Sequence, residues 1–376
     1  MRIVRAEVLE YVRKLDGRSW NPVSRWTERR APLVVLESSD GLRAAGEAWS
    51  QPEEIRAVQD ALAHLVREHV IGSRFDEEAS IAVLHDRIAA ARDNRIVSAA
   101  QSALDMALWG LLAKTRERPL WQLLGGVSGE VSVYASCGLY RDGCDAQDLS
   151  REVAGYRALG FRGIKIKVGG LPLERDLERI ALARGAIGAD GELWVDAVNQ
   201  LPPNEAVRIA DAYRNAGANA LQAPVAFDDF VTMRSVNERA IPVVAGEAEF
   251  SDDAFSWLLQ TRSLSLLQLN LGLCGGFTGA ARVAKLAAGY SIPVTVQAHA
   301  TAVLLSASLQ WGAAARVHSV EYHCFHDHLR SLMPPLEMVD GMARLGSGDA
   351  LPHAGKSKDG DEELRSSAVI DFRDEA

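Results

Sequence analysis

The chain has 376 residues, of which 48% are hydrophobic and 24% are charged, and these values exclude a wholly disordered chain, a collagen and a small disulfide scaffold. Its 41 basic and 50 acidic residues give a net charge of −9, so we expect no nucleic-acid partner. The four cysteines form no CxxC pair, the N-terminus has no signal-peptide core, and no apolar run reaches the length of a membrane span. These features predict a cytoplasmic protein without a membrane partner.

Residues 1–126 are predicted to form an N-terminal α+β domain. Short β-like runs at 3–9 and 33–36 come first, and the turn 38–41 after the second run is typical of a hairpin. Apolar residues then recur at helical spacing up to residue 111. Pro119 and the glycine pair at 125–126 mark the end of this domain.

From residue 127 to about 350, β-like and helical runs alternate. The predicted strands are 131–136, 163–168, 192–196, 219–223, 241–246, 264–269, 293–298 and 317–321. Eight βα units in roughly 200 residues predict an α/β fold of the TIM type, a (β/α) barrel. A doubly wound open sheet is the competing architecture, although it usually has fewer strands. The tail 351–376 is predicted to pack back on the capping domain, with 368–370 as an edge strand.

Polar side chains close the predicted barrel strands from the second to the eighth. In chain order they are Lys165, Lys167, Asp196, Gln222, Glu247, Asn270, His299 and Glu321. Because a TIM barrel carries its active site at the carboxyl ends of its strands, we expect these side chains to share one rim. The two lysines are two residues apart, so they point to the same face of their strand.

These residue types support metal-assisted proton abstraction. A carbon next to a carboxylate is a very weak acid, and removal of its proton adds a second negative charge. A divalent cation on the carboxylate oxygens stabilises that charge, and a lysine or histidine can accept the proton.

The motifs in both halves of the chain resemble those of the enolase superfamily, specifically its mandelate racemase/muconate lactonizing enzyme branch. In the N-terminal domain the motifs are Asp40-Gly41, Gly46-Glu47, the helical segment 103–109 and the segment 123–126. In the barrel they are Lys165-x-Lys167, Val195-Asp196, Gly246-Glu247, Gly275-Gly276 and His299. The resemblance implies a barrel with an N-terminal capping domain and a Mg²⁺-dependent enzyme that acts on a small carboxylate.

The resemblance places the metal ligands at Asp196, Gln222 and Glu247. In the family the middle ligand is normally a glutamate, and here Gln222 offers one carbonyl oxygen without charge. Mg²⁺ commonly manages with one or two carboxylates, waters and substrate, so a weakened site is expected. A further departure is Val198, where the family often has asparagine.

The resemblance also assigns catalytic positions. Lys167 matches the base on the second strand, and Lys165 matches the neighbouring lysine that contacts the substrate carboxylate. His299 matches the base of the mandelate racemase-like subgroup, whose orienting aspartate is replaced here by Asn270. Since an amide cannot stabilise imidazolium as a carboxylate does, His299 is expected to be a neutral hydrogen-bonding group or a weak acid. Glu321 is expected to face the substrate, or alternatively to form a salt bridge at the rim.

The loop that caps the barrel mouth in this family contains three further candidates for substrate contact, namely Trp20, Arg25 and Trp26. The alternative for these three is an interface patch. The family resemblance also suggests a homo-oligomer.

The favoured hypothesis is therefore dehydration, another β-elimination, or lactone ring opening of a sugar acid by a lyase or isomerase. Epimerisation or racemisation of a hydroxy acid ranks second, because the His299–Asn270 pair is a weakened second base. A degenerate, non-catalytic family member with a weakened metal site is the alternative from another class. A metal-independent lyase built on the two lysines is a third possibility.

Overall fold

The fold consists of a four-stranded antiparallel sheet and a closed parallel barrel. The structure is a computed structural model, and it describes residues 1–89, 94–299, 301–324, 336–346 and 362–372. The strands of the N-terminal part are β1 (Ile3–Lys14), β2 (Ser19–Trp20), β3 (Glu28–Ser38) and β4 (Arg43–Glu47). The C-terminal strand β16 (Glu362–Asp371) joins the same sheet, whose order is β16-β1-β3-β4. The hairpin predicted around 38–41 is the β3–β4 connection.

Helices cover the inner face of this capping sheet. They are a 3₁₀ turn (Pro52–Glu54), α1 (Ile55–Leu65), a π-helical turn (Val66–Val70), α2 (Glu78–Ala89) and α3 (Arg95–Thr115). Helix α3 is long and apolar enough to cross a membrane by composition, yet 89% of its apolar window is buried. It packs between β4 and helix α10 (Gly276–Gly289), so its apolar character serves the protein core.

The barrel has eight parallel strands. They are β5 (Glu130–Ser136), β7 (Gly163–Lys167), β8 (Glu192–Asp196), β9 (Ala220–Gln222), β10 (Val243–Ala245), β11 (Leu266–Asn270), β12 (Val294–Gln297) and β13 (Val320–His323). Pairing of β13 with β5 closes the ring, with Val320 opposite Val133. The TIM-type architecture predicted from the alternating pattern is therefore confirmed, and the open sheet is excluded.

The outer helices of the barrel follow the strands in sequence. They are α5 (Ala146–Ala158), α6 (Leu173–Ile187), α7 (Ala206–Asn215), α8 (Phe230–Arg239), α9 (Asp252–Gln260), α10 and α11 (Ala302–Ala315), with the short α4 (Leu120–Leu123) before β5. Strand β6 (Tyr140–Arg141) pairs with β2, and the hairpin β14 (Glu337–Val339) and β15 (Met342–Arg344) extends β5. Residues such as Ile166 and Val195 fill the layer between strands and helices.

The domain limits at 126 and 350 remain predictions from the sequence. Strand β16 lies antiparallel to β1, with Ile370 opposite Ala6. Residues 351–361 and 373–376 of the predicted tail lie outside the described residues.

Candidate active site

The carboxyl ends of neighbouring barrel strands bring the predicted polar residues side by side. In the parallel register, Lys167 of β7 lies opposite Asp196 of β8, and Asp196 lies opposite Gln222 of β9. Because all three strands end at the same level, their last side chains meet at one mouth. This placement follows from the register and needs no special loop.

Lys165 is the buried cation of the cluster. Its side chain is 2% exposed, and its Nζ lies 2.8 Å from Oε1 of Glu321 and 3.7 Å from Oδ2 of Asp196. It also donates a 2.9 Å hydrogen bond to Oε1 of Gln222. Burial alone would lower the pKa of Lys165, but the surrounding negative charges, Glu321 first, raise it well above its ordinary value. We therefore assign Lys165 as a permanent ammonium group.

Lys167 is the more accessible of the two lysines. Its side chain is 13% exposed and its Nζ forms an ion pair with Oδ2 of Asp196. Burial works to raise the pKa of Asp196, but the two lysines outweigh it and hold that pKa below its ordinary value. Asp196 is thus a carboxylate, and it places the amine of Lys167 at the open side of the mouth.

The backbone is strained directly after the strand ends. Val198 and Asn199 follow Asp196 with φ of 50° and 61°, and Ala223 follows Gln222 with φ of 46°. A β-branched residue in the left-handed region is rare because its side chain clashes with the backbone. The N–H of Val198 donates to Oδ1 of Asp196 at 2.9 Å, so this strained turn also fixes the carboxylate.

The predicted metal ligands lie together, but their hydrogen bonds do not suit a three-ligand cation site. Nε2 of Gln222 donates to Oε2 of Glu247 at 2.7 Å, while its Oε1 accepts from Lys165. To face a cation held by Asp196 and Glu247, the amide oxygen of Gln222 would have to turn away from Lys165. The NH₂ group of that amide would then face the ammonium of the lysine, and neither group could accept a hydrogen bond from the other. Among the described residues, no group of three or more His, Cys, Asp or Glu side chains is arranged to hold a metal ion.

Glu321 connects the lysines to the end of strand β12. Its Oε2 accepts a 3.1 Å hydrogen bond from the N–H of Ala298, the residue before His299. Burial opposes ionisation of Glu321, but Lys165 overcomes it and holds the pKa of Glu321 below its ordinary value. Both predictions for Glu321 fit this position, because a side chain that forms a salt bridge at the rim can also face the substrate.

His299 lies against the capping sheet. Nη1 of Arg29, on β3, is 3.3 Å from Nδ1 of His299 and closer to its Nε2. The ring of His299 is also 4.4 Å from that of His323 and 6.2 Å from that of Trp26. Burial lowers the pKa of Arg29 to about 10, although the charge of Glu47 works in the opposite direction.

Asn270 is completely buried, and its side chain does not orient His299. Its Oδ1 accepts a 2.9 Å hydrogen bond from the N–H of Gly272. Within the described part of the chain, its Nδ2 has no hydrogen-bond partner. Among the described residues the Asn270 side chain bonds to the tight turn after β11, and no hydrogen bond joins it to His299.

The three loop candidates separate in the structure. Trp26 faces His299, but Trp20 stacks on Tyr140 with ring centroids 4.5 Å apart. Arg25 is exposed and forms a salt bridge with Asp142. Trp20 and Asp142 line a cavity of about 650 Å³ beside helix α5, which the strand-end lysines do not border. Only Trp26 of the three thus contacts the reactive rim.

Arg29 and Glu47 were missed as site residues by the sequence analysis. Gly46-Glu47 was recognised as a motif, but nothing in its spacing indicates that Glu47 reaches the barrel. The cation pair Arg29-Arg30 stands directly before the apolar run 31–36 of β3 and was a usable signal for Arg29.

Comparison with known proteins finds matches over most of the chain. Residues 13–125 match the family model "Mandelate racemase / muconate lactonizing enzyme, N-terminal domain", and residues 148–349 match "Enolase C-terminal domain-like". The D-galactarolactone cycloisomerase of Agrobacterium fabrum is 30% identical, over 93% of this chain and 94% of that protein. The arabinonate dehydratase of Saccharolobus solfataricus is 27% identical, over 78% and 79%.

A solved structure shares the fold. It is a racemase from Streptomyces coelicolor with bound magnesium, with a TM-score of 0.80 and 25% identity. The match covers 93% of this chain and 97% of that one.

Proposed function

Because the chain belongs to the mandelate racemase/muconate lactonizing enzyme family of the enolase superfamily, we propose that it removes the proton α to the carboxylate of a sugar acid or its lactone. The observation that carries this proposal is that the two lysines of strand β7 lie in different surroundings. Lys165 is enclosed by carboxylates and stays charged, whereas Lys167 stands at the open side, where it forms an ion pair with Asp196.

In the proposed reaction Lys167 accepts the α-proton. An amine accepts a proton only in its neutral form, so Lys167 would react as the free amine. Lys165 also faces the substrate carboxylate, where its positive charge stabilises the enediolate that forms. Glu321 holds Lys165 in place from β13, which lies two strands away from β7 in the barrel.

We place the departure of the β-substituent on the side of His299. As the α-proton moves to Lys167, the bond from the β-carbon to its oxygen breaks. In ring opening of a lactone the leaving carboxylate needs no proton, and the N–H of a neutral His299 can donate a hydrogen bond to it. In dehydration the leaving hydroxyl takes a proton from His299, which must be protonated for that step. Asn270 is held by its own turn, so the second base needed for balanced racemisation is weak. Elimination therefore ranks above epimerisation in this proposal, while the relatives include a cycloisomerase and a dehydratase as well as epimerases.

Magnesium remains a prediction for this chain. Asp196 and Glu247 keep two carboxylates, but Gln222 is engaged by Lys165 and Glu247. The residues do not fit a three-ligand site as they stand, so no step of the proposed reaction is routed through a cation. We expect weak Mg²⁺ binding compared with a set of three carboxylates.

Proton exchange tests the proposal directly. D-galactarolactone, L-arabinonate and D-arabinonate would be incubated with the protein in D₂O and followed by ¹H NMR. We expect loss of the α-proton signal with the wild type for at least one of these compounds, and no loss with Lys167→Ala. Lys285→Ala is the matched control, since Lys285 is an exposed lysine on the outer helix α10.

The outcomes separate the candidate functions. Exchange that persists in Lys167→Ala would remove Lys167 as the base. Wild-type exchange with inversion at the α-carbon and no elimination product would favour the epimerase. If the wild type exchanges no proton yet binds these acids in calorimetry, the non-catalytic alternative is favoured; the amides at Gln222 and Asn270 are the observation behind it.

We further propose a cytoplasmic location and a homo-oligomeric assembly. The four cysteines, all within the described part of the chain, form no disulfide with one another, which suits a reducing compartment. Light scattering on the purified protein would determine the number of subunits.

A further inference from the structure

The side chain of His299 meets a cation from the capping sheet. The guanidinium of Arg29 lies against the ring nitrogens of His299. A guanidinium has donors only, so the ring nitrogen that faces it must accept the hydrogen bond. A protonated ring would place two positive charges in contact, and the arrangement therefore favours the neutral imidazole.

The neighbouring strand of the same sheet holds the backbone that follows His299. Glu47, on β4, is fully buried and accepts 3.0 Å hydrogen bonds from the N–H groups of Thr301 and Leu304. It also accepts a hydrogen bond from the hydroxyl of Thr301, which is the N-cap of α11. The carboxylate thus binds the first turn of α11, two residues beyond His299.

The backbone around Glu47 has no room to move toward the helix beneath it. A Cβ atom on Gly46 would lie 1.8 Å from the carbonyl oxygen of Ala103 on α3. Glu47 pairs with Leu33 of β3, the strand that carries Arg29. One rigid sheet therefore presents both side chains to the same barrel loop.

Other titratable groups around this loop come from the last barrel strand. The ring of His323 lies 4.4 Å from that of His299, and the charges of Glu321 and Cys324 act on Arg29. The sixth strand contributes no hydrogen bond from Asn270, whose oxygen is held by Gly272.

From these contacts we infer that Arg29 and Glu47 are positioning residues for His299: the capping sheet, and not the sixth barrel strand, sets the orientation and the neutral state of this histidine. The inference rests on the proposed function only where it treats His299 as a reacting group. Its test needs no substrate, so its failure and the failure of the proposed function can be told apart.

The test is an NMR titration of protein labelled with ¹³C at the histidine ring, with His299→Gln identifying the resonance of His299. Removal of the neighbouring cation in Arg29→Met should raise the midpoint of the His299 titration by about one pH unit. Arg29→Lys keeps the charge and should leave the midpoint close to that of the wild type. An unchanged midpoint in Arg29→Met would overturn the assignment of Arg29.

The variant Glu47→Gln tests the inferred role of Glu47 in positioning His299. Loss of one acceptor at the first turn of α11 should shift the His299 resonance at constant pH. Asp105→Asn is the matched control, because Asp105 makes the equivalent buried contact with Thr278 at the start of α10 and not with the His299 loop. Equal resonances in Glu47→Gln and the wild type, or an equal shift in Asp105→Asn, would contradict the role of Glu47.

Discussion

The two sides of the barrel mouth are built by different parts of the chain. The lysine side, formed by β7, β8, β9 and β13, is held by ion pairs among residues of the barrel itself. The histidine side, after β12, is held by Arg29 and Glu47 from the capping sheet. The lysine side is therefore set by strand register, whereas the histidine side depends on how the capping sheet docks on the barrel.

Removing the central cation of the lysine side should have the largest effect. Lys165→Met leaves Glu321 buried without its 2.8 Å partner, and breaking a buried ion pair costs about 3–5 kcal/mol of the free energy of unfolding. Urea denaturation followed by circular dichroism measures this loss. Lys167→Met is the matched control, and a smaller loss is expected because Lys167 is partly exposed. Equal losses in the two variants would contradict the distinction between the lysines.

Restoring a charge at the metal position should have an intermediate effect. Gln222→Glu supplies a third carboxylate beside Asp196 and Glu247, and we expect Mg²⁺ to bind at least about tenfold more tightly, which corresponds to roughly 1.4 kcal/mol. Isothermal titration calorimetry with MgCl₂ measures it. Gln200→Glu adds the same charge in the exposed loop after β8 and should change the affinity little. If the wild type bound Mg²⁺ as tightly as Gln222→Glu does, the amide of Gln222 would not be what weakens the site.

The contact between helices α3 and α10 predicts a smaller, pH-dependent effect. Burial raises the pKa of Asp105 from its ordinary value of 3.8 to about 7, against its hydrogen bonds with Thr278. The folded protein thus holds this proton more tightly than the unfolded chain, so the stabilisation is fully present below pH 3.8 and is lost as the pH rises through about 7. Asp105→Asn should flatten the decrease of the melting temperature between pH 5 and 8, as measured by scanning calorimetry.

Thr115→Ala is a suitable control for that slope, since Thr115 lies on the same helix and carries no titratable group. A slope that is the same in Asp105→Asn and the wild type would mean that Asp105 does not titrate in this range.

Much of the lysine side could be predicted from the sequence because its geometry is local. Each barrel strand is a short apolar run that ends in a polar residue, and parallel register brings those ends together. Strand 192–196 was predicted at its observed limits, and the last strand runs two residues beyond the predicted end at Glu321. The family resemblance then supplied expected roles, which stay predictions until activity is measured.

The histidine side was less accessible to sequence reasoning. Arg29 and His299 are 270 positions apart, and no periodicity indicates that two separate sheets face each other there. Asn270 was expected beside His299 by analogy, but the turn at Gly272 takes its oxygen. Such contacts depend on how the capping domain docks on the barrel, and the short-range pattern of apolar and polar residues does not determine that docking.

Two buried acids of the capping domain limit how this domain could be exchanged with that of a relative. Glu47 and Asp105 each close the start of a barrel helix, through Thr301 and Thr278. A cap transplanted from a relative would leave those helix ends open unless the donor brought both acids at matching depth. The capping domain and the barrel are therefore expected to be exchangeable only as a matched pair.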